Sequence, residues 1–356
     1  MINEYLNTKP HSMATDLKRK LMLEDLNQLT LHHYKNCSKY KDIIDGLWNG
    51  KTSAKKIEKI PFIPVSLFKS HELSSVRKND IRSTMTSSGT TGQKVSRIYI
   101  DSKTSQDQQK GLASSLQHIL GTKRLPMLVI DTEASFKNPK YMNARGAGVL
   151  GMMRYGRNHC FALSEELDPN LNAIEDFLKK NGSAPFFIFG FTFLVWTKFY
   201  ELLKNNNLDL SNGILIHSGG WKKMIENAVD NHTFRRSFKK NFQLNNIYNF
   251  YGMVEQLGSI ILEGKDGLLH PPNFSDVIIR DPKTFEVVPY GKEGIIQVLS
   301  VIPRSYPGHN ILTEDIGVIE KTNRSQKNGY GLRIIGRVPK AELRGCSDVI
   351  SQKMSF

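Results

Sequence analysis

The sequence predicts an α/β protein, with mostly parallel sheets flanked by helices and a small β-rich subdomain after them. Three observations predict it. Strand-like and helical stretches alternate from the KVSRIYID segment to NIYNFYG at 246–252. Runs such as LPMLVID (125–131) are short and apolar, as buried strands of a parallel sheet are. From about residue 272 the alternation gives way to strand-like runs broken by Asp-Pro and Gly turns, which suggests an antiparallel or barrel-like subdomain.

The elements follow in order. Residues 14–45 carry a helical pattern, with Leu17, Leu21, Leu26 and Leu29 among Lys and Glu. In IPFIPVSLFKS (60–70) two prolines exclude helix and predict an extended segment. KVSRIYID reads as a strand, 102–120 as a helix and LPMLVID as a buried strand. In SEELDPNLNAIEDFLKKNG (164–182) Asp168 is the expected cap, Pro169 the first helical residue and Gly182 the stop. Leu171, Ile174, Phe177 and Leu178 form its apolar face. FFIFGF, a helix through about 204, GILIHSGG (213–220), a basic helix and NIYNFYG continue the series. SDVIIRDPKTFEVVPYGKEGIIQVLSV then holds three strand-like runs. The expected organisation is an N-terminal helical region at 1–60, a core at 61–335 (α/β to about 271, β-rich at about 272–335) and a short tail at 336–356. Neither internal repeats nor low-complexity tracts are visible.

A chain of 356 residues suits one large domain or two. Its net charge of +15, from 49 Lys and Arg against 34 Asp and Glu, favours anionic partners. The basic residues are scattered in clusters such as Lys55-Lys56, Lys222-Lys223 and Arg235-Arg236, with no basic-aromatic stripe, so no nucleic-acid partner is expected. The first twenty residues lack an apolar signal core, and PFFIFGFTFLVW (185–196) is shorter than the roughly 18 residues that a membrane span needs. A cytoplasmic protein without a membrane span is the expectation. Cys37, Cys160 and Cys346 have neither disulfide-framework nor metal-ligand spacing.

Residues 84–97, TMTSSGTTGQKVSR, form a loop rich in hydroxyls and glycine that ends in Lys94 and Arg97. Such a loop can turn backbone N–H groups and hydroxyls around a polyphosphate, with the cations balancing its charge. Its spacing matches neither G-x-x-x-x-G-K nor G-x-G-x-x-G. A flexible linker is the bland alternative. HSGGWKK (217–223) follows an apolar strand, and its glycine pair lets backbone approach a flat ligand. NFYGMVEQ (249–256) offers Tyr251 to stack on a base and Glu255 to hold Mg²⁺. ILTEDIGVI (311–319) offers Asp315 to ribose hydroxyls, and RIIGRVPKAELRGCS (333–347) carries Arg337 and Cys346. Each piece alone could be an ordinary turn. Their joint order, SSGTTG, GGW, YGxxE, EDIG, GR, is the specific signal.

That order resembles the adenylate-forming superfamily, and within it the bacterial acyl-protein synthetases related to LuxE. The resemblance runs from about residue 55 to the C-terminus through IPFIPVSLFK, TSSGTTG, GGWK, the HPP run at His270–Pro272, DPKTFEVVPYGKEG, TEDIGV and RGCS. It implies the adenylate-forming N-terminal-domain fold and an enzyme that uses ATP and Mg²⁺ to activate a carboxylic, expectedly fatty, acid. It implies that Ser87, Ser88, Gly89, Thr90, Thr91, Gly92 and Lys94 hold the ATP phosphates. Gly219, Gly220, Tyr251 and Gly252 would line the adenine site, Glu255 would stand near the metal, Asp315 would bind ribose and Arg337 would support the nucleotide. Cys346 would accept the acyl group as a thioester for delivery to an acyl reductase partner. The candidate wall of the acyl pocket is the aromatic run containing Phe189 and Gly190, which also reads as plain core.

Wider members of the superfamily continue for roughly another hundred residues into a lid domain with a catalytic lysine, whereas 19 residues follow Arg337 here. Neither a lid domain nor CoA binding is therefore expected. Pro339 and Lys340 stand at the hinge position, and SSGTTG in place of SSGTKG suggests a pathway other than light emission. Arg344 and Gly345 precede Cys346, and a nearby cation raises the thiolate fraction. Two other readings compete: a stand-alone AMP-forming acyl or aryl ligase that passes its product to CoA or a carrier protein, and a non-catalytic nucleotide-binding scaffold.

Overall fold

The computed structural model describes residues 2–87, 95–134, 144–220, 228–322 and 329–338. The chain begins with helices α1 (Ile2–Leu6), α2 (Thr15–Asn36) and α3 (Ser38–Trp48), strand β1 (Ile63–Pro64) and helix α4 (Leu67–Ser70). Strands β2 (Ile81–Thr86) and β3 (Arg97–Asp101), helix α5 (Ser102–Leu120), strand β4 (Leu125–Ile130) and helix α6 (Ala144–Met153) follow. Next come strand β5 (Gly156–Phe161), helix α7 (Leu171–Asn181), strands β6 (Phe186–Phe191) and β7 (Gly213–Ser218) and helix α8 (Asn231–Phe242). The remaining strands are β8 (Asn246–Tyr251), β9 (Ile261–Glu263), β10 (Leu269–His270), β11 (Ser275–Arg280), β12 (Gly294–Ser300), β13 (Asn310–Lys321) and β14 (Tyr330–Arg337). Two compact units result: unit 1 comprises Met1–Ser115, Gly252–Ile261 and Leu268–Phe356, and unit 2 comprises Leu116–Tyr251 and Leu262–Gly267. Among the described residues no helix is long and apolar enough to cross a membrane.

Unit 2 is built on a parallel sheet in the order β5-β4-β6-β7-β8. Leu128, Ile130, Phe186 and Ile188 enter one core with Ile174 and Phe177 of α7, Phe199, and Phe234, Phe238 and Phe242 of α8. The alternate residues Met127, Val129, Phe187 and Phe189 are also buried, so the strands are covered on both faces and read as unbroken apolar runs. A helical run at 192–203, π-helical over Val195–Tyr200, follows β6.

The start of α7 differs from the expectation. The cap is Asn170, whose side chain accepts from the Ala173 N–H, and the helix begins at Leu171. Pro169 instead bridges to Leu163 in antiparallel fashion, which keeps it extended, and Asp168 pairs with Lys198 at 3.7 Å. The stop at Gly182 is as expected.

Unit 1 holds an antiparallel array in the order β11-β12-β13-β14-β10. Of the 60–70 segment expected to be extended, Ile63–Pro64 forms β1, which runs parallel to β13 with Ile63 opposite Ile311, but Leu67–Ser70, beyond both prolines, turns into the helix α4. The pattern at 14–45 is two helices, because Cys37 is extended (φ −132°, ψ 102°) between α2 and α3. Ile2, Tyr5, Met22, Leu26 and Leu29 pack with Phe274, Ile278 and Leu299, which makes the N-terminal helices part of this unit's core. Beneath them Lys18 lies 3.6 Å from Asp276, both fully buried, and Arg19 and the Tyr330 hydroxyl also reach Asp276. Burial pushes the Asp276 carboxyl up, but Lys18, Arg19 and Tyr330 outweigh it and hold it below its ordinary range. Of the three strand-like runs expected after residue 272, two are strands. FEVV forms only the bridge Arg280–Val287, since Phe285 has a left-handed φ of 58° that breaks the ladder.

Candidate active site

Strands β2 and β3 form a two-stranded hairpin, with Thr86 opposite Arg97 as its last pair. Two further bonds close its foot. Ser87 N–H donates to the Ser96 carbonyl at 3.1 Å, and Ser96 N–H donates to the Ser87 hydroxyl oxygen at 2.9 Å. Ser87 thus uses an acceptor site to fix the loop and keeps its O–H as a donor. Ser88, Gly89, Thr90, Thr91, Gly92 and Lys94 lie outside the described residues, as does Cys346.

Ser96 is fully buried beside Glu255, which sits in the short turn Val254–Gln256 and is itself 4% exposed. That turn is anchored by its neighbour, since Gln256 Nε2 donates to the carbonyls of Val298 (3.1 Å) and Gly308 (2.9 Å). Gly308 permits the approach, because a Cβ there would stand 2.4 Å from the Glu255 carbonyl oxygen and 2.3 Å from the Tyr306 ring. Burial raises the Glu255 pKa; the Ser96 hydroxyl and the charge of Lys69 oppose that rise, and Glu314 adds to it.

Asp315 and Arg337 are brought together. They are cross-strand partners on β13 and β14, with Nε 3.2 Å from Oδ1. Arg337 also donates to Glu314 at 2.9 Å, and Asp315 N–H donates to the Thr313 hydroxyl at 3.1 Å. The guanidinium therefore orients the carboxylate that was expected to meet ribose.

In unit 2 the glycine pair lies just past the end of β7, and Tyr251 ends β8. Ligands of parallel sheets bind beyond these carboxyl ends. Gly219 has φ 91°, a left-handed conformation that favours glycine, and a Cβ there would crowd the Phe191 ring at 3.1 Å. Phe189 is 1% exposed between the rings of Phe187 and Phe191. Gly190 packs closely too, with Val195 Cγ2 and Ile130 Cβ within 2.7 and 2.9 Å of where its Cβ would be.

Sequence reasoning passed over three residues here. His217 Nδ1 bonds the Thr192 hydroxyl at 2.9 Å while its ring stacks on Phe234, and burial lowers its pKa to about 3. The Ser218 hydroxyl donates to the Phe250 carbonyl, tying the ends of β7 and β8. Buried Asp131, just past β4, pairs with Arg145 of α6 at 3.3 Å. Their common signal is a polar residue that terminates an apolar strand.

A family model for acyl-protein synthetase, LuxE, matches residues 2–355. The chain belongs to the LuxE acyl-protein synthetase family. As a member of that family it is an AMP-forming acid ligase. It is 23% identical over 359 residues to the long-chain-fatty-acid–luciferin-component ligase of Aliivibrio fischeri, covering 96% of this chain and 90% of that one. The Vibrio harveyi ligase of the same name is 24% identical over 348 residues, covering 90% and 85%. Among solved structures, the open conformation of 2-hydroxyisobutyryl-CoA ligase in complex with 2-HIB-AMP and CoA has a TM-score of 0.66 at 14% identity. It covers 92% of this chain and 72% of that one, and the likeness shows the adenylate-forming fold.

Glu255 is the residue expected near a metal. Among the described residues no three His, Cys, Asp or Glu side chains cluster closely enough to hold an ion by themselves. Mg²⁺ is commonly held by one or two carboxylates together with substrate phosphates and waters. A single buried carboxylate beside the foot of the loop fits that pattern.

Proposed function

We propose that this LuxE-family ligase activates a long-chain fatty acid with ATP and transfers the acyl group to its own Cys346, for delivery to an acyl reductase. The observation that carries this reading is the doubly tied foot of the hairpin, Ser87–Ser96, set against buried Glu255 in a chain that the acyl-protein synthetase model matches from end to end. The names of the two curated relatives support a long-chain fatty acid as substrate.

A carboxylate oxygen of the acid attacks the α-phosphorus of ATP. The bond to the bridging oxygen breaks, and pyrophosphate leaves with its electron pair. Lys94, the Ser87 hydroxyl and the hydroxyl and N–H groups of Ser88, Gly89, Thr90, Thr91 and Gly92 stabilise charge moving onto the leaving group. Mg²⁺, held by Glu255 and the phosphates, would supply further charge neutralisation there. Gly219, Gly220, Tyr251 and Gly252 contact adenine, and Asp315, oriented by Arg337, holds ribose. Phe189 and Gly190 form the packed floor of the acyl pocket. The Cys346 thiolate then attacks the acyl-AMP carbonyl, a C–S bond forms and AMP departs; proximity supplies most of the acceleration, since the acyl-adenylate is already activated.

ATP–pyrophosphate exchange across a panel of straight-chain and aromatic acids tests the first half. Exchange that depends on long-chain fatty acids is expected. Absence of exchange with every acid would favour a non-catalytic nucleotide-binding scaffold and overturn the proposal.

A further inference from the structure

A groove of about 350 Å³ opens between α4 and the foot of β3, lined by Phe68, Lys69, His71, Val95 and Arg97 among others. Its chemistry is basic. The acid at its rim, Glu72, lies 3.9 Å from Arg97, and His71 Nδ1 bonds the Ser70 hydroxyl at 2.8 Å. Lys69 makes no ion pair with another described residue, and its charge acts on buried Glu255. The groove also has a rigid base. Val65 N–H donates to the Leu312 carbonyl at 2.9 Å, and Phe68, 1% exposed, meets the Tyr306 ring edge-on, so the backbone carrying Lys69 is fixed on both sides. A rigidly held cation beside the foot of the proposed phosphate loop is the kind of group that stabilises charge developing on a leaving phosphate.

We infer that this groove receives the pyrophosphate side of the nucleotide and that Lys69 is a phosphate-binding cation of the adenylation step. The inference rests on the adenylation reading above. Lys69 acts on the leaving group as the bond between the α-phosphorus and the bridging oxygen breaks, and it has no part in thioester formation, where AMP is what departs.

The two half-reactions separate these roles. The Lys69→Met variant is measured in ATP–pyrophosphate exchange with pyrophosphate varied, and in acylation of Cys346 from supplied synthetic acyl-AMP, followed by intact mass. The expected result is a fall of about 10- to 100-fold in kcat/KM for pyrophosphate, the scale of one charge-assisted hydrogen bond to phosphate. Acylation from acyl-AMP should stay within about twofold of the unsubstituted chain. Lys69→Arg, which keeps the charge, should retain most of the exchange. Unchanged exchange in Lys69→Met overturns the inference, as does an equal loss in both half-reactions with a lowered melting temperature. A wild-type chain that shows no exchange overturns the adenylation reading itself, and the inference with it.

Discussion

The two units bury different things. Among the described residues unit 1 buries the charged or titratable side chains of Lys18, Asp107, Glu255, Asp276 and Arg280 with His33, His270 and His309. Unit 2 buries Asp131, His217 and Glu263 inside a core made of Phe, Leu, Ile and Trp. Its two acids are each answered locally, Asp131 by Arg145 and Glu263 by Arg235, Asn231 and the Asn249 N–H. Unit 1 thus combines apolar cores with buried polar networks, whereas the core of unit 2 is almost wholly apolar packing across its sheet. The difference matches the division of labour proposed here. The groups assigned to phosphate, metal and ribose belong mainly to unit 1, and those assigned to the acyl chain and the base belong mainly to unit 2.

The contrast between the units is most exposed at Asp276. Asp276→Ala leaves the fully buried Lys18 ammonium without its counter-charge, and breaking such a pair costs about 3–5 kcal/mol. Chemical denaturation should show that loss; a change below about 1 kcal/mol would mean the network does not organise unit 1. In unit 2 the matching probe is steric. Gly190→Ala pushes a Cβ against Val195 and Ile130, and overpacking of this kind costs about 1–3 kcal/mol, read as a lowered melting temperature.

A third probe uses pH. The folded His217 titrates near 3, against about 6.5 in an unfolded chain. Between those values the unfolded state binds a proton that the folded state does not. Its contribution is therefore complete above about pH 6.5 and is lost as pH falls, at up to about 1.4 kcal/mol per pH unit. His217→Gln should flatten the acid dependence of unit 2 by that slope between about pH 6.5 and 5, measured by amide hydrogen exchange. The smallest expected effect is at the helix cap. Asn170→Ala should cost about 1 kcal/mol in thermal unfolding, with Asp168→Ala well below it.

That last pair shows where local reading stopped. Asp168-Pro169 has the composition of a helix start, but a backbone bridge from Leu163 to Pro169 delays the helix to Leu171, and such a bridge is a tertiary fact. Strands covered on both faces, such as β4 and β6, were legible because burial on two sides leaves no polar alternation to misread. The seat of the N-terminal helices was not legible. It joins apolar residues of α1 and α2 to Phe274, Ile278 and Leu299 and sets Lys18 against Asp276, 258 positions along the chain, and either charged residue alone looks like an ordinary surface charge. At the candidate site Glu255 and Arg337 stood out because the first follows and the second ends an apolar strand, and Asp315, inside β13, stood out through the EDIG motif. Lys69 did not, because its significance lies in neighbours that the fold supplies from the foot of the hairpin, Val95 and Arg97.

In the function proposed above, one chain both makes an acyl-adenylate and consumes it at its own Cys346. Intact mass after incubation with Mg-ATP and a long-chain fatty acid tests it most directly. The predicted result is a hydroxylamine-sensitive gain of one acyl group, absent from Cys346→Ser, which still supports ATP–pyrophosphate exchange. Exchange without any acyl adduct on the unsubstituted chain would contradict it, and would leave a ligase that passes its acyl group to an external thiol.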